Sequence, residues 1–258
     1  MSGEIRQLTL TSELKSYALN LGSDRVGIAS VESLNKAPEG RRVEDVLPNA
    51  RSVVVISLRM LDSVVNTLPS PIYMNTGYIT VNTELNRIAY QISKFLEEKG
   101  YFAVPVPATR DYDMKDVKGT FSVTHAGEAA GLGRIGISGL LLTPDHGPRV
   151  RFVSVFTTAN LEPDQPLESE ICTKCMACVQ ACPMGAIHKN GSFEAKKCLA
   201  SITVYTGESV ESVIERIESL GKIPHHVFVA RNLIGRNVLP PICGICVKVC
   251  PIGKVSLK

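Results

Sequence analysis

The 258-residue sequence predicts an α+β protein in two parts, a mixed helix-and-strand domain over residues 1–163 and a cysteine-rich domain over 164–258. Three observations predict it. Helical and strand periodicities alternate through the first part of the chain. No cysteine occurs before residue 172, yet eight follow. Between the two regions, Leu161–Glu170 carries two prolines and four acids, a composition suited to a boundary.

The elements follow in order. Leu14, Tyr17, Ala18 and Leu21 keep helical spacing, with Thr11 or Ser12 as N-cap and Gly22 as the stop. Arg25–Ser30 reads as a short strand, and polar Lys36–Asp45 as a loop. Ser52–Leu58 is a continuous apolar run, as expected of a central strand covered on both faces. A Pro-, Asn- and Thr-rich loop continues to about Thr83, which then caps an amphipathic helix bearing Leu85, Ile88, Ala89, Ile92, Phe95 and Leu96 and ending at Gly100. Tyr101–Pro107 alternates like a strand. His125–Leu132 predicts a helix, and Gly139–Thr143 and Arg149–Thr158 predict strands. Only Pro144–Pro148 joins those two, which favours antiparallel pairing there. Val210, Val213, Ile214, Ile217 and Leu220 form one stripe of a helical insert at about 206–222.

Charge and hydropathy narrow the function classes. A net charge of +3 makes no case for a general nucleic-acid binder. The start, Met1 to Arg6, has no apolar run behind it, and no apolar stretch approaches the roughly 20 residues of a membrane span. A cytoplasmic protein without a membrane segment is expected.

The cysteines carry chemistry. The first motif is Cys172-x2-Cys175-x2-Cys178-x3-Cys182-Pro183, and the second is Cys243-x2-Cys246-x3-Cys250-Pro251. Such spacings let successive thiolates converge on one 4Fe–4S cubane, while the last cysteine of the run ligates the other cluster. The following proline fixes φ and keeps the helix from running on. The second motif is one cysteine short, and Cys198 is available to complete it. The expected sets are therefore Cys172, Cys175, Cys178 and Cys250 for the first cluster, and Cys182, Cys198, Cys243 and Cys246 for the second. Structural zinc also uses CxxC pairs, but it rarely needs this run. Disulfides would be scattered through a small secreted domain. Beyond Glu218 there is no acidic residue, while Lys222, Arg231, Arg236, Lys248, Lys254 and Lys258 follow. These cations either raise the potential of an anionic cluster or form a solvated tail. His225 and His226 read as loop residues.

Gly131-Leu-Gly133-Arg-Ile-Gly136 matches the spacing of a dinucleotide fingerprint, but that fingerprint must follow a strand and open a helix. Here a helical pattern runs in and a strand runs out. The glycines mark either a tight turn or close backbone approach to some other cofactor.

The chain resembles the iron–sulfur family of epoxyqueuosine reductase and the reductive dehalogenases. The resembling segments are Ala130–Gly136, Leu140-Leu-Leu-Thr-Pro144, the first cysteine motif, the lone Cys198 and the stretch from Cys243 to Pro251. The resemblance implies a nitroreductase-like α/β sandwich that binds cobalamin, followed by a ferredoxin-like domain with two 4Fe–4S clusters. Electrons would pass singly from a low-potential ferredoxin- or flavodoxin-type donor to the cobalt, and a nearby acid would supply a proton. On that reading Gly131, Gly133, Arg134 and Gly136 bind the cofactor, and Asp116, Tyr73 and Tyr78 are the catalytic candidates. The chain departs from the family in three places. Tyr73–Tyr78 stands where epoxyqueuosine reductases carry Arg-Asp-Tyr-His. Asp116 is one residue out of register with their catalytic aspartate. The helical-repeat extension that helps to hold tRNA is missing, so a non-tRNA substrate is expected and nucleic acid is an unlikely partner. A small-molecule substrate is one expectation. The other is an electron-transfer role toward the corrinoid or redox centre of a partner protein.

Overall fold

The computed structural model describes residues 9–108, 112–113, 118–119, 121–199, 209, 211–212, 215, 219 and 243–254. The insert expected at about 206–222 lies largely outside the described residues. So do residues 1–8, the stretch from 220 to 242 and the last four residues.

A four-stranded antiparallel sheet organises the first part of the chain. Its strands are β1 (Arg25–Ser30), β2 (Ser52–Arg59), β3 (Ala103–Val106) and β8 (Val150–Thr157), in the order β1-β2-β8-β3. β2 behaves as its apolar run predicts, because its two faces enter different cores. Val54 and Ile56 join one core with Leu14, Ile88, Ile92 and Val155, while Val53 and Val55 join another with Ala126, Leu141 and Phe156. This is the period-2 alternation of a strand with no solvated face.

Helix α1 (Leu10–Asn20) covers one face beside α3 (Val81–Glu98). The cap of α1 is Thr9, whose hydroxyl accepts from the Ser12 amide, rather than the expected Thr11 or Ser12. Thr11 is buried instead, its hydroxyl accepting the Glu162 amide at 2.8 Å. The loop expected up to Thr83 is mostly helical. After α2 (Asp62–Asn66), a π-helix over Tyr73–Thr80 runs unbroken into α3, so Thr83 lies inside the helix. Threonine hydroxyls here bond back to earlier carbonyls, Thr80 to Asn75 and Thr83 to Ile79, each at 2.9 Å. A composition that reads as a loop is thereby accommodated within a helix.

On the other face, α4 (Val123–Ala129) starts at the Ser122 cap and leads into a hairpin of β6 (Arg134–Ile135) and β7 (Leu141–Leu142). A second short pair joins β4 (Tyr112–Asp113) to β5 (Lys118–Gly119). The expected pairing of the last two strands does not form. β7 pairs with β6, and β8 inserts between β2 and β3. Between them the chain turns tightly, with Thr143 and Gly147 exchanging backbone hydrogen bonds of 3.0 and 2.9 Å. The short connection therefore joins strands of two different sheets.

The boundary segment is docked rather than free. The Asp164 amide donates to the Ile28 carbonyl at 2.9 Å, and the Asp164 carboxylate accepts from the Ile28 amide at 2.8 Å and from Lys15 at 2.5 Å. These bonds cover the outer edge of β1, which would otherwise be open to pairing. Ile56 is fully buried at the centre of the sheet. Ile56→Ala should lower unfolding stability by about 2–5 kcal/mol in a denaturant titration, the usual cost of a large-to-small core change.

Candidate metal centre

The second part of the chain is built as a structural repeat. Helix α5 (Ala177–Ala181) and helix α7 (Ile245–Val249) each start after a left-handed residue, Met176 at φ 62° and Gly244 at φ 64°. Each ends at a cysteine in extended conformation, Cys182 and Cys250, followed by proline. The two helices pack against one another. Between them lies α6 (Ala195–Leu199), which carries Cys198.

All eight cysteines are unbridged, and their thiols fall into two neighbourhoods. Burial pushes the Cys178 thiol up, with Cys172 and Cys250 adding to the rise. Burial does the same to Cys250, which also feels Cys175 and Cys172. In the other group, Cys246 is pushed up to about 12, by burial first and then by Cys198, Cys243 and Cys182. Surrounding protein raises Cys198 to about 11 although the residue keeps an exposed edge, and Cys243 and Cys182 raise it further. Among these effects, only that of Cys178 on Cys246 crosses between the groups.

Main-chain amides point at the sulfurs. The Ala186 amide donates to Cys182 Sγ at 3.3 Å, and the amides of Val179, Ile245 and Ile252 hold down the pKa of Cys178, Cys243 and Cys250. Among the described residues, no three His, Cys, Asp or Glu side chains converge closely enough to grip one ion. A cubane asks for a different arrangement, with each thiolate at a different corner iron and N–H donors around the sulfurs. The paired neighbourhoods and directed amides fit such a group.

Two contacts of the N-terminal domain with this region bear on the second cysteine motif. The first is apolar. Met60, Val64, Val65, Leu68 and Tyr73 pack with Val247 and Cys246. A Cβ on Gly244 would stand 2.9 Å from Leu68 and 3.1 Å from Tyr73. Tyr73 is buried, and its hydroxyl is pushed up to about 12, chiefly by burial. Cys246 and Cys243 are close enough to add to that rise. Tyr78 lies under the Arg151 guanidinium, 4.2 Å from the ring centre, and Arg151 donates to buried Asn82 at 3.0 Å. Thus one of the three catalytic candidates, Tyr73, stands beside the second thiol group, and Tyr78 lies on Arg151. Asp116 lies outside the described residues.

The second contact is polar, and sequence reasoning missed it. Arg149, 1% exposed, sends Nη1 to the Ile252 carbonyl at 2.7 Å and Nη2 to the carbonyls of Cys250 and Lys248 at 2.9 and 3.3 Å. Its Nε faces the Asp62 carboxylate at 3.3 Å. Burial lowers the guanidinium pKa, against which Asp62 and Cys250 act. An arginine beginning a strand carries no local signal of this role, and its partners lie far away in sequence.

The glycine-rich turn differs from its expected use. A Cβ on Gly133 would collide with the Leu142 carbonyl, one on Gly131 would lie 2.5 Å from the Gln165 carbonyl, and one on Gly136 would lie 2.8 Å from the Leu142 side chain. The space these glycines leave is filled by the chain itself. Arg134 bonds the Glu170 carboxylate at 2.9 Å and the Leu167 carbonyl at 3.3 Å. It anchors the boundary segment, and the hydrogen bond to Glu170 raises its pKa. The close approach inferred for a cofactor is therefore an approach of backbone to backbone.

With the geometry in place, comparison with known proteins sorts the chain. Residues 171–253 match the 4Fe-4S double cluster binding domain. The epoxyqueuosine reductase of Synechococcus sp. (strain RCC307) is 27% identical over 94% of this chain and 75% of its own length. A tetrachloroethene reductive dehalogenase of Desulfitobacterium hafniense is 35% identical over 60% of this chain, but over only 27% of its own length. The chain is a relative of both. Solved structures agree on the fold. An epoxyqueuosine reductase held with a modified tRNA stem loop superposes with TM-score 0.58 at 23% identity, over 75% of this chain and 57% of that one. A reductive dehalogenase described as B12-dependent gives 0.61 at 18% identity, over 98% and 34%. The tRNA-bound relative stands against the expectation that nucleic acid is an unlikely partner, and that exclusion is withdrawn. Among the described residues no helix is long and apolar enough to cross a membrane.

Gly133 offers a check on the backbone contact. Gly133→Ala must push β7 away, so it should lower the thermal midpoint of both the cluster-loaded and cluster-free protein, at a cost of about 1–3 kcal/mol. An unchanged midpoint would show that the turn has room for a side chain.

Proposed function

We propose that the chain is a two-cluster iron–sulfur reductase, with residues 1–163, of nitroreductase type, as the acceptor domain and 164–258 as the cluster domain. Cys172, Cys175, Cys178 and Cys250 hold the first 4Fe–4S cluster, and Cys182, Cys198, Cys243 and Cys246 hold the second. The observation that carries this reading is the segregation of the eight thiols into those two neighbourhoods, each drawing one member from the other motif.

Packing bears on where electrons would leave. Cys175 in the first set and Cys198 in the second are both exposed, so each proposed cluster presents an edge to a soluble low-potential donor of ferredoxin or flavodoxin type. Cys246 packs into the N-terminal domain beside Tyr73, which turns the second cluster toward an acceptor on that side. When bound, the clusters would supply single-electron transfer, and Tyr73, with Tyr78 and Arg151 beyond it, stands on the side toward which the second would pass electrons. Tyr73 holds its proton tightly, and Arg151 places a cation beside Tyr78.

On kinship the acceptor is cobalamin, which when bound would supply a low-potential metal for two-electron reductive chemistry. The glycine turn does not fit it, since Gly131, Gly133 and Gly136 face the chain's own atoms. That observation favours a second reading, delivery of electrons to the corrinoid or redox centre of a partner. Titration of the anaerobic protein with cobalamin, followed by cobalt EPR, separates the two. Binding at tens of micromolar supports the enzyme, and no binding leaves electron delivery.

Two further measurements test the clusters. Iron and acid-labile sulfide should each approach about eight per chain, four for each cubane. A result of four or less, with zinc in the remaining sites, would end the two-cluster reading. Cys198→Ala should cost about half the iron, or convert one cluster to a three-iron form. Unchanged spectra would show that Cys198 is no ligand.

A further inference from the structure

The Arg149 fork stands on one side of the second cysteine motif and draws its counter-ion from a third place in the chain. Asp62 opens α2, Arg149 precedes β8, and the three acceptor carbonyls belong to Lys248, Cys250 and Ile252. Every guanidinium nitrogen has a partner, so the charge is compensated without water. The acceptors are the last carbonyls of α7 and the turn after it, the negative end of a helix where a cation is favoured. Lys248 Nζ reaches the other way, donating to the Leu68 carbonyl at 2.7 Å. The Arg149 charge holds the Cys250 thiol down against the rise from burial, and Cys250 in turn favours the charged guanidinium.

Resting on the ligand sets proposed above, we propose that Arg149 is a positioning residue for the first cluster. It fixes the Cys250 turn against the N-terminal domain and raises that cluster's reduction potential relative to the other. A cubane with four thiolates gains one negative charge when it takes up an electron, with no bond made or broken. A desolvated guanidinium held on the carbonyl of one ligand cysteine favours the more anionic form, because Coulomb interactions are strong where water is excluded. Asp62 works against this by offsetting part of the cation's field. The pair therefore sets the potential of the first cluster, and leaves the second, none of whose proposed ligands Arg149 bonds, at its own value.

Redox titration of the anaerobically purified two-cluster protein, monitored by EPR, tests the assignment. In Arg149→Met, one of the two midpoint potentials should move to more negative values. The expected fall in its reduced-to-oxidised ratio at fixed potential is about tenfold, about 59 mV for a one-electron couple. The other midpoint should stay in place. Arg149→Lys keeps the charge but not the three-carbonyl fork, so it should keep most of the potential while losing thermal stability. Asp62→Asn should move the same midpoint in the positive direction, and it decides the question even where Arg149→Met does not fold. Equal movement of both midpoints, or no movement with iron content intact, would overturn the role of Arg149. A wild-type protein with a single reducible cluster would overturn the ligand sets as well, which keeps the two failures distinguishable.

Discussion

Two stretches of main chain meet where the turn from Thr143 to Arg149 receives residues 250–253, and neither can bear a side chain at the contact. A Cβ on Gly147 would strike the Ile252 carbonyl, and one on Gly253 would strike His146. This seat joins the sheet to the cysteine motifs. β8, at the centre of the sheet, starts directly after Arg149, and the Met60 amide bonds the Arg149 carbonyl at 2.8 Å. The fork of Arg149 then reads three carbonyls at once, which a lysine could not do. A buried ion pair is seldom a source of net stability. Here its value lies in geometry, because it leaves the Cys250 turn one orientation.

The two motifs share a spacing but not an environment. Both helices start from a left-handed residue, yet one is methionine and the other glycine. Gly244 lies against Leu68 and Tyr73, where a side chain has no room. Met176 lines a small cleft with Cys172, Cys175 and Cys178, where a side chain has somewhere to go. Backbone strain at Met176 is of the kind that gathers at functional sites. The second motif is pressed into the neighbouring domain, and the first is turned outward.

Much of this was legible in the sequence, for reasons that can be named. β1 spans the residues read from its pattern, and β2 extends that reading by one, because an uninterrupted apolar run permits few alternatives. The cysteines announce themselves through spacing. What failed was anything decided by distant contact. Thr9 caps α1 because Thr11 is taken by Glu162, at the far end of the domain. The Tyr73–Thr80 stretch is helical because it packs on Val64 and the cysteine motif, which no local propensity encodes. The glycines of the Gly131–Gly136 turn showed that something approaches closely, but not that the visitor is Leu142 or Gln165. Arg149 and Asp62 carry no pattern at all.

The strand order β1-β2-β8-β3 has a consequence for how the molecule is made. The sheet's latest strand in sequence is an interior one, so β2 and β3 have no common neighbour until translation passes Thr157. Chains tend to fold from the N-terminal end during synthesis. The last strand of the sheet and the turn that receives Cys250 are therefore both synthesised before the first cysteine, Cys172. The receiving surface lies wholly upstream of the ligand-bearing segment, and because each proposed set draws one cysteine from the other motif, neither set is complete until the second motif has been made.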